Sequence, residues 1–257
     1  MAITPTSNDR LCLPNSTTNI PRIGFGSYKI RGEACTTAVL AALSAGYRHI
    51  DSAILYRNEE QIYDAIEQSG LAREEIIITT KVGNRKRAKG QDEVYRDVLQ
   101  SVDRIAGVDG YVDLLLIHVP GPSLEHRKGL WCAMERIKRE GRAKSIGLHP
   151  WCQQRDVVTY CQANGIVVEA YSPLATGTRL DNPTIQRIAT KHNKTPAQIL
   201  ISYSLQKGWV PLPKSSDPDR IRENIDVFEF ALDQDDVDSL NALDEGSAGA
   251  VFRKNVD

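Results

Sequence analysis

The sequence predicts an α/β fold in which parallel strands alternate with helices and close into a barrel. Short apolar, β-branched runs alternate along the chain with amphipathic helical patterns, as is typical of parallel strands covered on both faces. No G-x-G-x-x-G follows the first of these strands, because Lys29 stands where the third glycine would be, and this favours a closed barrel over an open Rossmann sheet. No Gly-, Ser- or Pro-rich linker divides residues 1–257, which predicts one domain.

Seven runs have the length and composition of barrel strands, one fewer than the standard TIM (β/α)8 barrel contains. They lie at residues 23–28, 47–53, 75–82, 111–119, 143–149, 165–172 and 209–215. A short hairpin is predicted before them, at about residues 10–22, where the chain contains Pro and Asn. The sequence therefore predicts a TIM-type barrel from which one strand and one helix are missing.

Helical patterns fill most of the intervals between these strands. They lie at residues 33–45, 58–69, 91–106, 125–140, 153–164, 195–207, 218–228 and 234–242. A helix after nearly every strand predicts a parallel sheet, because each crossover returns the chain to the same edge. The carboxyl ends of the strands are then expected to meet at one rim, where barrel enzymes keep their active sites.

Composition and charge narrow the range of partners. Lys and Arg total 32 against 33 Asp and Glu, for a net charge of -1, so no strong overall field favours nucleic acid or an anionic membrane. One basic run, residues 84–90, is interpreted as a solvated loop that borders a substrate mouth. The chain starts without a signal-peptide pattern and no apolar run is long enough to span a bilayer, which predicts a soluble, cytoplasmic protein.

Cysteine and histidine usage points away from a disulfide framework and from a metal centre. The 5 cysteines contain no C-x-x-C, and an odd number in a chain without a secretion signal favours free thiols. The 5 histidines form neither H-x-H nor H-E-x-x-H, so no metal site is expected. A small neutral metabolite is the partner that the net charge of -1 favours.

Three polar residues stand at the carboxyl ends of three consecutive predicted strands: Asp51, Lys81 and His118. Tyr56 follows Asp51 by five residues, in the loop before the next helix. Taken singly, each has an ordinary interpretation: Asp51 as a helix cap, Lys81 as a solvated charge, His118 as a core histidine and Tyr56 as loop packing. Their joint placement at one rim favours an active site instead.

The stretches "GFGSYKI", "AGYRHIDSAILYRNEEQI", "TTKV", "YVDLLLIHVP", "EAYSPL" and "PLPKSSDPDRIRENIDVFEF" resemble the aldo-keto reductases, which are NADPH-dependent carbonyl reductases on a TIM barrel. The resemblance covers nearly the whole chain in order. It implies that Asp51, Tyr56, Lys81 and His118 take the positions of the catalytic tetrad. Tyr56 would be the general acid, and a Lys81 ammonium at about 4 Å would stabilise its anion by roughly 4 kcal/mol at an effective dielectric of ~20, before burial opposes it.

The second informative stretch is "PKSSDPDRIREN". Ser216 or Asp217 can cap a helix that starts at Pro218, and free backbone N–H groups there would attract an anion, although a plain surface helix fits the residue types equally well. The resemblance implies a pocket here for the 2'-phosphate of NADPH/NADP+. The cofactor-binding residues that it implies are Gly26, Ser27, Tyr28, Asp51, Tyr171, Ser172, Leu174, Lys214, Ser215, Arg220, Glu223 and Asn224.

The chain departs from the family at "KSIGLHPWCQQRD", residues 144–156. In the family, the strand that begins "SIG" continues into a Ser-Asn pair, a helix and a strand with a Gln before "HPW". We interpret the stretch as a splice that removes this helix, most of both strands and the residues that hold the nicotinamide carboxamide. Two functions remain open: a carbonyl reductase or an impaired short isoform. The protein is expected to be a monomer, and a sheet that fails to close would instead allow strand-exchanged oligomers.

Overall fold

The computed structural model describes residues 6–13, 16–83, 90–119, 124–148, 155–164 and 166–245. Its strands are β1 (Arg10–Cys12), β2 (Asn19–Pro21), β3 (Phe25–Gly26), β4 (His49–Asp51), β5 (Ile77–Gly83), β6 (Val112–Val119), β7 (Ala143–Leu148), β8 (Glu169–Tyr171) and β9 (Val210–Leu212). Its helices are α1 (Glu33–Ser44), α2 (Glu59–Ser69), α3 (Gln91–Ala106), α4 (Leu124–Arg139), α5 (Arg155–Ala163), α6 (Pro183–His192), α7 (Pro196–Gln206), α8 (Pro218–Ile225) and α9 (Gln234–Asn241).

The barrel strands form one parallel array. Strands β3 to β7 pair in chain order, and β8 pairs with β9, in parallel throughout. Two further hydrogen bonds join β9 to β3: Gly24 N donates to Pro211 O at 3.1 Å, and Gly26 N donates to Pro213 O at 2.9 Å. The resulting order is β8-β9-β3-β4-β5-β6-β7. All seven predicted barrel strands are present, and within the described residues no strand pairing connects β7 to β8.

The predicted splice falls at this open position. Strand β7 contains its first part, but residues 149–154 lie outside the described residues, as do residues 84–89 of the basic run. The loss of one strand and one helix therefore stays a prediction. The order of the array fits it, because the strand proposed to be missing would lie between β7 and β8.

One helix, α6, was not predicted. Asn182 accepts a hydrogen bond from Thr184 N at 2.9 Å, and Pro183 occupies the first turn, where its missing N–H costs nothing. An apolar stripe at helical spacing, made of Ile185, Ile188 and Ala189, is buried against α7 and α9. The Asn-Pro start and this apolar stripe are both visible in the sequence, so the helix could have been predicted.

The alternation along each strand separates two cores. On β6, Leu115 and Ile117 face the helices, whereas Leu114 and Leu116 belong to a smaller interior cluster. Ile20 of the antiparallel hairpin β1-β2 is fully buried in the interior cluster. The other members of that cluster are Leu13, Val210 and Leu212. The hairpin therefore packs under the interior of the barrel, at the end opposite the strands' carboxyl ends.

A charged cluster ties the amino-terminal ends of β5, β6 and β7 together. The buried carboxylate of Asp113 accepts hydrogen bonds from Arg73 Nη2 at 2.8 Å and from Ile78 N at 3.0 Å, and pairs with Lys144 Nζ at 3.0 Å. Both cations also lie over the ring of Tyr111, at 4.2 Å and 4.1 Å from its centroid. In a barrel, this end contributes stability and the opposite end contributes chemistry.

We expect Asp113→Ala to lower the free energy of unfolding by about 2 kcal/mol, because it leaves the Ile78 amide and two cations without their acceptor. Denaturant unfolding followed by circular dichroism measures the change. Glu67→Ala, on the exposed face of α2, is the matched control and should stay within about 0.5 kcal/mol of the parent. Equal stability of the two variants would contradict a structural role for the cluster.

Candidate active site

The structure brings the four predicted residues together at the carboxyl end of neighbouring strands. Asp51 ends β4, Lys81 lies on β5, His118 lies on β6, and Tyr56 ends a short 3-10 helix, Ile54–Tyr56, that follows β4. The Tyr56 ring meets the His118 ring edge to face at 5.5 Å, and Lys81 Nζ lies 5.6 Å from the centroid of the Tyr56 ring. The arrangement follows from the parallel order β4-β5-β6, which places inward-facing strand ends side by side.

Lys81 and Asp51 form a buried ion pair. Lys81 Nζ donates to Asp51 Oδ2 and, at 3.0 Å, to the carbonyl oxygen of Ser52. Burial lowers the pKa of Lys81, but the charge of the Asp51 carboxylate and its hydrogen bond to Lys81, together with the negative charges that Tyr56 and Glu169 carry when ionised, outweigh burial and raise the net pKa. Burial raises the pKa of Asp51, and Lys81 opposes that rise. Because the two groups are in direct contact, the geometry supports the ionised pair.

The pKa of Tyr56 does not move in the direction that the Lys81 charge alone would give. Burial raises the pKa of the phenol, and the attraction of Lys81, which lowers it, is the smaller effect. Asp51 and Tyr28 raise it further. The predicted stabilisation of the anion by Lys81 is therefore present but outweighed, so the phenol keeps its proton at neutral pH and is available as an acid.

His118 faces the same space as a neutral imidazole. Burial and, to a smaller extent, the charge of Lys81 lower its pKa to about 3. A neutral imidazole carries one N–H, which can donate to a carbonyl oxygen without adding a second full charge to the site. His118 can thus orient a substrate oxygen, while Lys81 remains the cation next to Tyr56.

Asn58 positions the loop that carries Tyr56, and sequence reasoning missed it. Its buried side chain donates to the carbonyl oxygens of Ser27 and Ile30, both at 2.9 Å, and accepts from Ser52 Oγ at 2.8 Å. It therefore joins the loop after β3 to the loop after β4. The signal was weak, since a single Asn before a helix ordinarily predicts a cap, and here no cap hydrogen bond forms.

The predicted cofactor residues lie along the carboxyl edge of adjacent strands. Tyr171 ends β8, Lys214 and Ser215 follow β9, and Gly26 ends β3. Gly26 is tightly constrained, because a Cβ there would come within 2.9 Å of Leu212 O. The remaining members of the set lie in the loops after β3 and β8 or on α8: Ser27, Tyr28, Ser172, Leu174, Arg220, Glu223 and Asn224.

The structure changes two details of the predicted cofactor site: the role of the Ser27 hydroxyl and that of the amides at the start of α8. Ser27 is fully buried and its hydroxyl donates to Asp51 O at 2.9 Å, so this hydroxyl is already used within the protein. Asp217 is the cap of α8, with Pro218 in the first turn, as one of the two predicted arrangements had it. However, its side chain already accepts from the N–H groups of Asp219 and Arg220, so those amides are not free for an anion.

Side-chain cations nevertheless make this region suitable for an anion. Burial lowers the pKa of Lys214, and repulsion from Lys29 lowers it further. An anionic group between these two ammonium groups would remove the repulsion. Arg220 is exposed and only loosely paired with Asp217, with 3.9 Å from Nε to Oδ2. The residues present therefore fit a phosphate bound through side chains rather than through the helix amides.

Two other kinds of site receive no support from the described residues. No three His, Cys, Asp or Glu side chains among them are grouped as ligands of a metal ion would be. None of their helices is both long and apolar enough to cross a membrane.

Comparisons with protein families and with known proteins give consistent matches. A model of the aldo/keto reductase family matches residues 22–151 and 148–245. The chain belongs to the aldo/keto reductase family. Glyoxal reductase of Bacillus subtilis is 37% identical over 94% of this chain and 95% of the relative. Methylglyoxal reductase of Escherichia coli is 35% identical over 88% of this chain and 90% of the relative.

Solved aldo/keto reductases confirm the barrel type of fold. The enzyme from Brucella melitensis superposes with a TM-score of 0.84 at 35% identity, over 92% of this chain and 99% of the other. The Bombyx mori enzyme, whose structure holds NADP, superposes with a TM-score of 0.80 at 30% identity, over 93% of each chain. The α/β class, the TIM-type architecture and the oxidoreductase family predicted from the sequence are therefore confirmed.

Proposed function

We propose that this aldo/keto reductase uses NADPH to reduce an aldehyde or ketone to an alcohol, with Tyr56 as the general acid. The observation that carries the proposal is the buried Lys81–Asp51 pair beside the Tyr56 ring. The neutral imidazole of His118 contacts the same ring edge to face. Carbonyl reduction builds negative charge on the substrate oxygen, so an acid, an orienting donor and a cation close to that oxygen are the groups the reaction requires.

Each residue has a distinct role in that reaction. NADPH, when bound, would supply the hydride that the carbonyl carbon needs. His118 donates a hydrogen bond that orients the carbonyl oxygen, and Tyr56 transfers its phenolic proton to that oxygen as the carbon–oxygen double bond becomes single. Lys81 stabilises the phenolate that remains, and Asp51 holds Lys81 in place. Tyr56 then regains a proton from the solvent, so that the overall reaction would consume one carbonyl, one NADPH and one proton and give one alcohol and one NADP+.

The proposed cofactor site uses the carboxyl edge described above. Lys214, Ser215 and Arg220 would hold the 2'-phosphate, and this makes NADPH the preferred nucleotide over NADH. Glu223 and Asn224 would lie at the adenine. Tyr171 would stack on the nicotinamide, and the remaining predicted contacts come from the loops after β3 and β8: Gly26, Ser27 through its backbone, Tyr28, Asp51, Ser172 and Leu174.

A second candidate is an impaired short isoform. Two observations favour it: β7 and β8 are not paired within the described residues, and the two segments that match the family model meet at residues 148–151. If the splice removes the residues that hold the carboxamide, the nicotinamide would be loosely placed, and a small displacement of the hydride donor can lower turnover about a hundredfold.

Fluorescence titration with NADPH, followed by turnover of methylglyoxal, separates the two candidates. Methylglyoxal is a suitable probe because two relatives are named for the reduction of glyoxal or methylglyoxal. Saturable binding with turnover supports the reductase. Binding without turnover supports the impaired isoform, and the absence of saturable binding would discard NADPH as the cofactor.

Lys214→Met tests the phosphate site. We expect the variant to bind NADPH about tenfold more weakly or worse, because one charge-assisted hydrogen bond contributes about 1.5–3 kcal/mol, and to bind NADH as the parent does. The measurement is a pair of titrations, one with each nucleotide. Lys138→Met removes an exposed lysine on α4 and should change neither affinity. An equal loss for NADPH and NADH would argue against a phosphate contact.

A further inference from the structure

A second carboxyl group lies in the interior of the barrel, beneath the tetrad. Glu169 on β8 is buried, and its side chain is 5% exposed. Neither of its carboxyl oxygens has a hydrogen-bond partner within the described part of the chain. The nearest basic nitrogen is His49 Nε2, 3.8 Å from Glu169 Oε1. A carboxyl group that is buried without partners is costly in its ionised form.

The contact between Glu169 and His49 is not an ion pair at neutral pH. Burial, with smaller contributions from Lys81 and Arg10, lowers the pKa of His49 to about 3, and His49 Nε2 is already hydrogen-bonded to Thr79 Oγ1 at 2.9 Å. Burial and the negative charge of Asp51 raise the pKa of Glu169 to about 8, against the attraction of Lys81. Both groups are therefore neutral near pH 7.

The titratable groups that face Glu169 lie on strands across the interior of the barrel. His49 and Asp51 lie on β4 and Lys81 lies on β5, while Arg10 of β1 affects only the pKa of His49. Its partner in register on β9 is the apolar Val210. With Glu169 neutral, one carboxylate, Asp51, faces one ammonium, Lys81. With Glu169 ionised, two carboxylates compete for that ammonium.

We propose that Glu169 is a positioning residue of the tetrad: its neutral form leaves Lys81 directed at Asp51 and Tyr56, and its ionisation draws the ammonium inward and slows reduction. The proposal rests on the proposed reductase function. Lys81 is the link, because it is the one group of the tetrad that a negative charge on Glu169 attracts. Withdrawal of the ammonium weakens the stabilisation of the Tyr56 phenolate that forms when the proton is transferred.

The pH profile of methylglyoxal reduction at saturating NADPH tests this role in Glu169→Gln and Glu169→Asp. We expect the wild-type rate to fall about tenfold per unit of pH above the ionisation of Glu169. Glu169→Gln cannot ionise and should keep its rate to higher pH, where Tyr56 itself loses its proton. Glu169→Asp keeps a titratable carboxyl and should restore the fall. Superimposable profiles for the wild type and Glu169→Gln would overturn the proposal.

Thermal unfolding as a function of pH tests the same group without turnover. Since burial raises the pKa of Glu169 from 4.5 to about 8, the folded protein keeps a proton that the unfolded chain releases, and stability falls as pH rises between those values. Glu169→Gln should lack this fall, so its melting temperature should increase relative to that of the wild type as pH rises. For the exposed control Glu67→Gln, the difference in melting temperature from the wild type should not change with pH. A difference that is constant with pH overturns the proposal, and it does so even if the wild type shows no turnover and the reductase function fails.

Discussion

Tyr56→Phe is expected to lower kcat for methylglyoxal by about 10²–10⁴-fold, while NADPH binds with unchanged affinity. The substitution removes the phenolic proton but keeps the ring that meets His118 at 5.5 Å and Tyr28 at 5.0 Å. Loss of a positioned general acid costs about this factor when the other groups stay in place. Stopped-flow measurement of NADPH oxidation, with a fluorescence titration of NADPH, separates the chemical step from binding.

Tyr95→Phe is the matched control for this loss of a hydroxyl. Tyr95 lies on α3, and its hydroxyl donates to Glu140 Oε2 at 2.5 Å on the outer surface. Its kcat should equal that of the parent. If Tyr56→Phe kept the parent's kcat as well, another group would have to supply the proton, and the assignment of Tyr56 would fail.

Lys81→Met is expected to act on both stability and activity. The substitution leaves Asp51, which is only 4% exposed, as an uncompensated buried carboxylate, and breaking one side of such a pair costs about 3–5 kcal/mol. It also removes the cation that stabilises the Tyr56 phenolate, so reduction should fall at least as steeply as in Tyr56→Phe. Denaturant unfolding measures the first effect, and single-turnover oxidation of NADPH measures the second.

The double variant Asp51→Asn/Lys81→Met distinguishes these two effects. Removal of both charges takes away the uncompensated carboxylate, so much of the lost stability should return. Activity should not return, because no cation remains beside Tyr56. If Lys81→Met were as stable as the parent, the pair would contribute nothing to the fold, and a stable but active Lys81→Met would remove Lys81 from the mechanism.

Much of the fold and the tetrad could be predicted because both depend on simple periodicities. Apolar, β-branched strands that alternate with helices indicate parallel order, and parallel order brings the ends of β4, β5 and β6 to one rim. Asp51, Lys81 and His118 therefore meet even though long stretches of sequence separate them. The start of α8 at Pro218 was also predicted, because proline is common in the first turn of a helix, although the choice between Ser216 and Asp217 as the cap stayed open until the structure.

Other features depend on packing that a sequence does not express. The direction of the pKa shift of Tyr56 could be predicted only once the depth of its ring below the surface was known. The hydrogen bonds from the α8 amides to Asp217 could be predicted only once the rotamer of that side chain was known. Glu169 stands in an apolar run, and the sequence gave no sign that its carboxyl would be buried without a hydrogen-bond partner among the described residues. The role of Asn58 could not be predicted either, because its three hydrogen bonds reach two loops that only the folded chain brings together.

The hairpin β1-β2 also limits how a molecule can reach the interior of the barrel. Ile20 and Leu13 pack beneath Leu114 and Leu116, so apolar side chains fill this end of the barrel in the described part of the chain. A nucleotide or carbonyl compound that binds beside Tyr56 is therefore expected to approach from the opposite end.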